Sequence, residues 1–247
     1  MADEILEAAR LIKEQGCVVA LTGAGVSVES GIPPFRGKGG LWEKFDPNEY
    51  ANIDNFIKNP EKIWKAFLAD KKAIIDNAKP NDAHKGFFLL ERIGLLKGII
   101  TSNIDGLHQA AGSKNVVEFH GTFATYSCMD CRKVFKSSEV KVDVAPPLCE
   151  CGGILRPDCI FFGESINPNV LKASREMISS CKVMIVAGSS LVVAPSSLIP
   201  FEAKSNGAKV IEINTKPTCI TSSITDVFIK EKAGAAMNWL IDLINEI

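Results

Sequence analysis

What this chain lacks narrows it first. No apolar run approaches the roughly 20 residues that a membrane-spanning helix needs. The opening segment, MADEILEAARLIKEQG, is amphipathic and acidic-leaning and has no apolar stretch of the signal-peptide kind. With a net charge of −1, no whole-molecule field draws the protein to nucleic acid or to an anionic membrane. There is no internal repeat, low-complexity tract or long linker. Hydrophobic residues at 46% and charged residues at 23% are ordinary for a globular domain. A chain of 247 residues can bury a large core and still carry a smaller inserted lobe. These features lead us to expect a cytoplasmic protein with no direct nucleic-acid binding and no membrane partner.

Cysteine is what the chain does have, eight in all. Four fall within 24 positions: Cys128-Met-Asp-Cys131, then, after 17 intervening residues, Cys149-Glu-Cys151. Thiolates two or three positions apart on a tight turn can face one tetrahedral ion, and two such turns close its shell. Four protein ligands leave no open position, so Cys128, Cys131, Cys149 and Cys151 predict one structural zinc ion. The CxC pair is one residue tighter than the commonest ribbon. The competing reading, four free surface thiols, runs against their ready oxidation. Cys17, Cys159, Cys181 and Cys219 sit in apolar contexts and read as buried thiols of a reducing compartment.

Short apolar runs recur along the chain: CVVALTGAG from Cys17, GIITSNID from Gly98, NVVEFHG from Asn115, KVMIVAGSS from Lys182 and KVIEIN from Lys209. Each reads as a strand buried on both faces, as in a parallel sheet. Amphipathic helical patterns cover 3–15, 60–76, 83–93, 167–179, 198–206 and 233–247. The alternation predicts a doubly wound α/β domain. Two stretches interrupt it. Residues 37–80 are mostly helical, and 126–157 carry the four cysteines; together they predict a small lobe. Residues 1–36, 81–125 and 158–247 are left for the large domain.

Gly23-Ala-Gly25 follows the first strand, as a phosphate-cradling turn would. A full GxGxxG needs glycine where Val28 stands, and no acidic residue clearly ends a second strand to hold a ribose. An ordinary hydride-transferring dehydrogenase is therefore disfavoured, and a bare tight turn remains open. Polar residues cluster at predicted strand ends: Ser102, Asn103 and Asp105 after GIIT, and His120 after NVVEF. Ligands of open α/β sheets bind outside such ends, where these groups can orient a substrate and move protons. Alternatively, Asn103 and Asp105 cap the helix holding Leu107 and His108, and His120 is structural. A non-catalytic zinc module binding protein or nucleic acid is a further alternative, and the absent basic patch argues against its nucleic-acid form.

Taken together, GAGVSVESGIPPFRG, TSNIDGLH, EFHG, the split cysteine pairs, FFGE, GSSLVVAP and EIN resemble the sirtuins, NAD-dependent protein-lysine deacylases. The resemblance runs in order from about Cys17 to Gly234. It implies a Rossmann-like domain and a zinc-plus-helical lobe, with NAD and an acylated-lysine protein or peptide entering between them. By that resemblance Gly23, Ala24 and Gly25 contact the NAD diphosphate, with Val28 on the same turn, and Phe35 and Arg36 belong to the cofactor loop. Ser102, Asn103, Ile104 and Asp105 form the nicotinamide and ribose pocket, and His120 is the general base. Gly188, Ser189, Ser190, Asn214 and Ala233 line the adenosine half. Phe162, Gly163 and Glu164 pair by backbone with the substrate peptide. The implied reaction yields free lysine, nicotinamide and 2'-O-acetyl-ADP-ribose, and mono-ADP-ribosyl transfer is the alternative outcome of the same cleavage.

Three departures from the family pattern stand out. Ser102 replaces a Gln, shortening the reach to a ribose hydroxyl. Pro34 precedes Phe35 where a polar residue is usual. Relatives preferring succinyl or malonyl groups carry a Tyr and an Arg at positions matching Phe67 and Asp70. With no cation there and Asp70 repelling a carboxylate, the sequence predicts acetyl or longer neutral acyl groups over dicarboxylic ones.

Overall fold

The computed structural model describes residues 2–246. Six strands form one parallel sheet: β1 (Val18–Thr22), β2 (Leu96–Thr101), β3 (Val116–Glu118), β7 (Val183–Ala187), β8 (Lys209–Ile213) and β9 (Val227–Ile229). Their order is β3-β2-β1-β7-β8-β9. Between β3 and β7 the chain builds a separate antiparallel sheet, β5-β4-β6, from β4 (Gly121–Cys128), β5 (Val134–Lys136) and β6 (Leu155–Cys159). With that sheet set aside, the large sheet has the Rossmann order, reversing direction between β1 and β7.

The reason is visible along each strand. Val18 and Ala20 point into one core and Val19 and Leu21 into another; Ile185 and Ala187 alternate with Met184 and Val186 in the same way. Both faces are dry, so the strand sequences are apolar without interruption. Helices Ala2–Gln15, Asp82–Arg92 and Ala233–Glu246 cover the first face through Ile12, Phe87 and Met237. Pro168–Ser179 and Ile199–Ser205 cover the second through Ile178 and Ala203. Caps explain the helix starts: Asn81 Oδ1 accepts from Ala83 N at 2.9 Å, and Asn167 Oδ1 accepts from Asn169 N at 2.9 Å beside Pro168. The last helix was predicted to reach residue 247, which lies outside the described residues.

The smaller lobe has its own core. Residues 41–77 are helical in short pieces, and Trp64, fully buried, donates from Nε1 to Leu155 O at 3.0 Å and stacks on Tyr126 at 6.0 Å. That pairing joins the helical insertion to the cysteine-bearing sheet. The predicted 60–76 helix is one helical run, Pro60–Ile63 and Ala69–Asn77, with a π turn at Trp64–Leu68 between them. Of the four scattered cysteines, Cys159 and Cys181 are buried, Cys17 is half-buried and Cys219 is exposed. The buried-thiol expectation thus fails at Cys219, which lies in a polar turn after β8. Among the described residues no helix is long and apolar enough to cross a membrane.

Candidate active site

At the switch point the loops leaving β1 and β7 touch backbone to backbone. Gly25 N donates to Gly188 O at 2.8 Å, and Gly23 N donates to Ala187 O at 3.0 Å. A Cβ on Gly25 would meet Gly188 Cα at 2.7 Å; one on Gly188, whose φ is +59°, would meet Val26 N at 2.5 Å. Glycine is required there because two main chains share the space. A cleft of about 1060 Å³ opens above this junction and runs to the smaller lobe.

The end of β2 is tied to that floor. Thr22 Oγ1 donates to Thr101 Oγ1 at 2.9 Å and sits 2.9 Å from His108 Nε2, while Ser102 N donates to Thr22 O at 2.9 Å. Asn103, 5% exposed, donates from Nδ2 to Gly23 O at 3.0 Å and to Ser27 Oγ at 3.1 Å. It therefore caps no helix. Asp105 closes the turn ahead of the Gly106 cap: Oδ1 accepts from Leu107 N at 3.0 Å and Oδ2 accepts from Ser27 Oγ at 2.7 Å. Ser102, Asn103 and Ile104 line the cleft, whereas Asp105 stands behind the lining residues.

His120 is half-buried between β3 and β4 and lines the cleft. Burial lowers its pKa below the ordinary histidine value, opposed by a bond to Ser102 O, 3.4 Å from Nδ1. With the proton on Nδ1 facing that carbonyl, Nε2 carries a lone pair at neutral pH, the state a general base requires.

The adenosine-side candidates gather at the far end. Asn214 Nδ2 donates to Ser189 O at 2.9 Å, so the ends of β7 and β8 are held together. Gly23, Ala24, Gly25, Val28, Phe35, Arg36, Gly188, Ser189, Ser190, Asn214 and Ala233 all line the same cleft. On the opposite wall the FFGE segment is differently engaged than expected. Phe162 N already donates to Ala51 O at 2.7 Å, and Phe162 O accepts from Ile53 N at 3.0 Å. Backbone pairing with a peptide is thus unavailable at Phe162, because the helical insertion occupies both groups; its side chain stays exposed. Glu164 is held by Arg156 through two bonds of 2.6 and 2.7 Å and accepts from Phe161 N at 2.8 Å.

A second correction concerns the acyl end. Asp70 is exposed and outside the cleft, whereas Phe67 and Lys71 line it. The wide turn at Trp64–Leu68 favours position i+4 from Phe67 over i+3. The expected repulsion of a carboxylate by Asp70 therefore has no source in the cleft.

The four clustered cysteines place their sulfurs within 4.8 Å of one another, with Cys128–Cys151 at 3.5 Å and Cys131–Cys149 at 3.7 Å. Ligands about 2.3 Å from a tetrahedral zinc stand about 3.8 Å apart. The donor set and spacing fit one structural zinc ion, which Cys128, Cys131, Cys149 and Cys151 would hold between β4 and β6.

The Sir2 family model matches residues 23–195. The chain belongs to the Sir2 family. Among its relatives, NAD-dependent protein deacylase 1 of Archaeoglobus fulgidus is 44% identical, over 94% of this chain and 94% of the relative. A Sir2 homologue solved as an NAD complex is 43% identical, with TM-score 0.90, over 97% of this chain and 93% of that one. Sir2Af2 bound to a myristoylated histone peptide is 34% identical, with TM-score 0.84, over 100% and 98%. In this sirtuin four residues bearing on the site escaped the sequence reading. Ser27 bridges Asn103 and Asp105, and its place within GAGVSVES was the available signal. Arg156 holds Glu164, and nothing in the sequence marks it. Glu29 Oε2 accepts from Gly234 N at 3.0 Å across 205 positions. Lys71 was hidden by the wide helical turn.

Proposed function

We propose that this sirtuin is a protein-lysine deacylase that consumes NAD as co-substrate. The observation that carries the reading is His120, kept neutral by burial, in one cleft with the glycine junction and an apolar wall. The Gly23–Gly25 turn offers room for a diphosphate, and Asn214 with Ser189 forms the adenosine side. Asn103, fixed by Gly23 O and Ser27, orients the ribose end. An acyl-lysine carries no charge, so it enters along Phe35, Phe67 and Phe123 without losing a charge's hydration.

The bound NAD supplies an anomeric carbon whose bond to nicotinamide breaks, and the acyl amide oxygen is the nucleophile. Water kept from that carbon prevents simple NAD hydrolysis. His120 Nε2 takes a proton from a ribose hydroxyl, which lets that oxygen capture the acyl group. One water is then consumed to break the bond between the former acyl carbon and the lysine nitrogen, and the products are free lysine, nicotinamide and 2'-O-acetyl-ADP-ribose when the group is acetyl. The names and complexes of the relatives support NAD and acylated peptides as the co-substrates. The neutral-over-dicarboxylic preference expected from Asp70 is not carried forward, since that side chain is outside the cleft.

Incubation with NAD and an acetyl-lysine peptide, with mass detection of both products, tests the reading. Deacetylated peptide plus O-acetyl-ADP-ribose supports it. ADP-ribosylated protein without deacetylation selects the transferase alternative. His120→Ala is expected to fold and to lose turnover; near-full deacetylation by that variant removes His120 as the base.

A further inference from the structure

One buried imidazole behind the cleft floor has no part in the reaction just described. His108 is 1% exposed, and among the described residues its Nδ1 has no hydrogen-bond partner. Its ring lies 4.9 Å from His84 and 5.7 Å from Phe87, which belongs to the core on the first face of the large sheet. Burying an imidazole with one nitrogen unpaired is unfavourable, and a leucine at the same place would avoid that penalty. What a leucine lacks is the bond from Nε2, which lies 2.9 Å from Thr22 Oγ1. Burial and the neighbouring His84 lower the pKa of His108 to about 3, so the ring is neutral and holds one hydrogen. Thr22 Oγ1 gives its own proton to Thr101 Oγ1 at 2.9 Å. The ring therefore carries its hydrogen on Nε2 and donates to Thr22.

From that ring a chain of bonds runs to the cleft. Thr101 Oγ1 accepts a second hydrogen, from Asn103 N at 3.0 Å. Thr22 O accepts from Ser102 N at 2.9 Å, and the next residue, Gly23, offers its carbonyl to Asn103 Nδ2 at 3.0 Å. The other hydrogen of Nδ2 goes to Ser27 Oγ at 3.1 Å. Both amide hydrogens of Asn103 are thus committed to the protein, and Oδ1 is what its side chain has left for a ligand of the cleft. His108, Thr22 and Thr101 are all buried and none of them lines the cleft. Whatever they contribute to the reaction passes through Asn103.

We propose that His108 is a positioning residue of the reaction: through Thr22 and Thr101 it fixes the turn that aims Asn103 Oδ1 at the co-substrate. The inference rests on the deacylase reading and adds to it a residue that touches no substrate. Without the imidazole the two hydroxyls are free to rotate, and Asn103 N loses a fixed acceptor. A misplacement of about 1 Å at a reacting centre costs up to about 100-fold in rate.

Initial rates with NAD and one acetyl-lysine peptide give the test, as kcat and both KM values. The proteins compared are wild type, His108→Leu, His108→Gln, Thr22→Val, Thr22→Ser and the double variant His108→Leu/Thr22→Val. His108→Leu and Thr22→Val should each lower kcat about tenfold or more and leave the peptide KM within about twofold. Glutamine has an amide N–H and serine a hydroxyl, so His108→Gln and Thr22→Ser should recover most of the loss. The double variant should be no slower than the worse single one, as for groups acting in one chain. A kcat at the wild-type level in either His108→Leu or Thr22→Val overturns the inference. So do equal losses in His108→Leu and His108→Gln, or losses that multiply in the double variant, and each of these leaves the deacylase reading standing. A wild type inactive on the acetyl peptide overturns both. Where His108→Leu does not fold, Thr22→Val against Thr22→Ser decides, and equal losses in those two overturn the inference.

Discussion

Lys71→Met should make this protein more stable, not less. In the unfolded chain the ammonium titrates near 10.5, and in the fold it falls to about 8. The unfolded state therefore binds more protons between those values, so the cost of burying the charge is present below pH 8 and disappears as pH rises toward 10.5. At pH 7 that cost is about 3 kcal/mol, at about 1.36 kcal/mol per pH unit. The cation–π contact with Phe35, 4.5 Å from Nζ to the ring centroid, returns about 1 kcal/mol, which leaves a net penalty of about 2. Methionine fills a similar volume with a flexible apolar chain, so the substitution should recover most of that. For a chain of this size the gain corresponds to a melting temperature about 4–8 °C higher. Urea titrations of wild type and Lys71→Met at pH 7 and pH 9.5 measure it, and the difference should roughly halve at the higher pH. A variant that melts at or below wild type at pH 7, or a difference independent of pH, refutes the reasoning.

Two further perturbations address other parts of the molecule. His84 and His108 meet at 4.9 Å between ring centroids, and burial lowers them to about 4 and about 3 from the ordinary 6.5, His84 further depressing His108. Their contribution is whole above pH 6.5 and is lost as pH falls, by about 2 kcal/mol each at pH 5. Urea midpoints at pH 7 and pH 5 should show this loss, and an unchanged slope in a His84→Gln/His108→Gln variant would count against it. For the metal centre, we expect one zinc ion per chain, released by thiol-blocking reagents and read with a colorimetric chelator. Cys151→Ser should lose the ion and destabilise the smaller lobe, whereas Cys219→Ser should change neither; zinc-free protein purified without chelators would end the assignment.

The large sheet was legible because both its faces are dry. VVALT and VMIVA are continuous apolar runs for the same reason that Val19 and Ala20 enter different cores. β9, only Val227–Ile229, is too short to leave a pattern and was missed. The glycine pair was found for a correct spacing but an incomplete reason, since the partner that demands Gly25 is Gly188, 163 positions away (188 − 25). The cysteine cluster declared itself because metal geometry imposes short spacings. Contacts with no local constraint did not: Glu212 is buried beneath hydroxyls of Thr218, Thr221 and Thr225, and Arg156 reaches Glu164 within an otherwise unremarkable strand. At the acyl end, only the placement of Asp70 needed correcting. Asp70 came from the family's matching position, and after the widened turn at Trp64–Leu68 the cleft is lined by Phe67 and Lys71 instead.

The junction of Gly23 and Gly25 with Gly188 has a consequence for how this molecule can change. Where two main chains abut, no side chain is left to exchange, and any methyl group added there would push the strands apart. The nucleotide-facing floor is thus closed to gradual variation, while the opposite wall, built from rings and one amine, can be rewritten a residue at a time. New acyl chemistries in this chain's descendants should therefore map to residues 42–71 and leave the glycine floor intact.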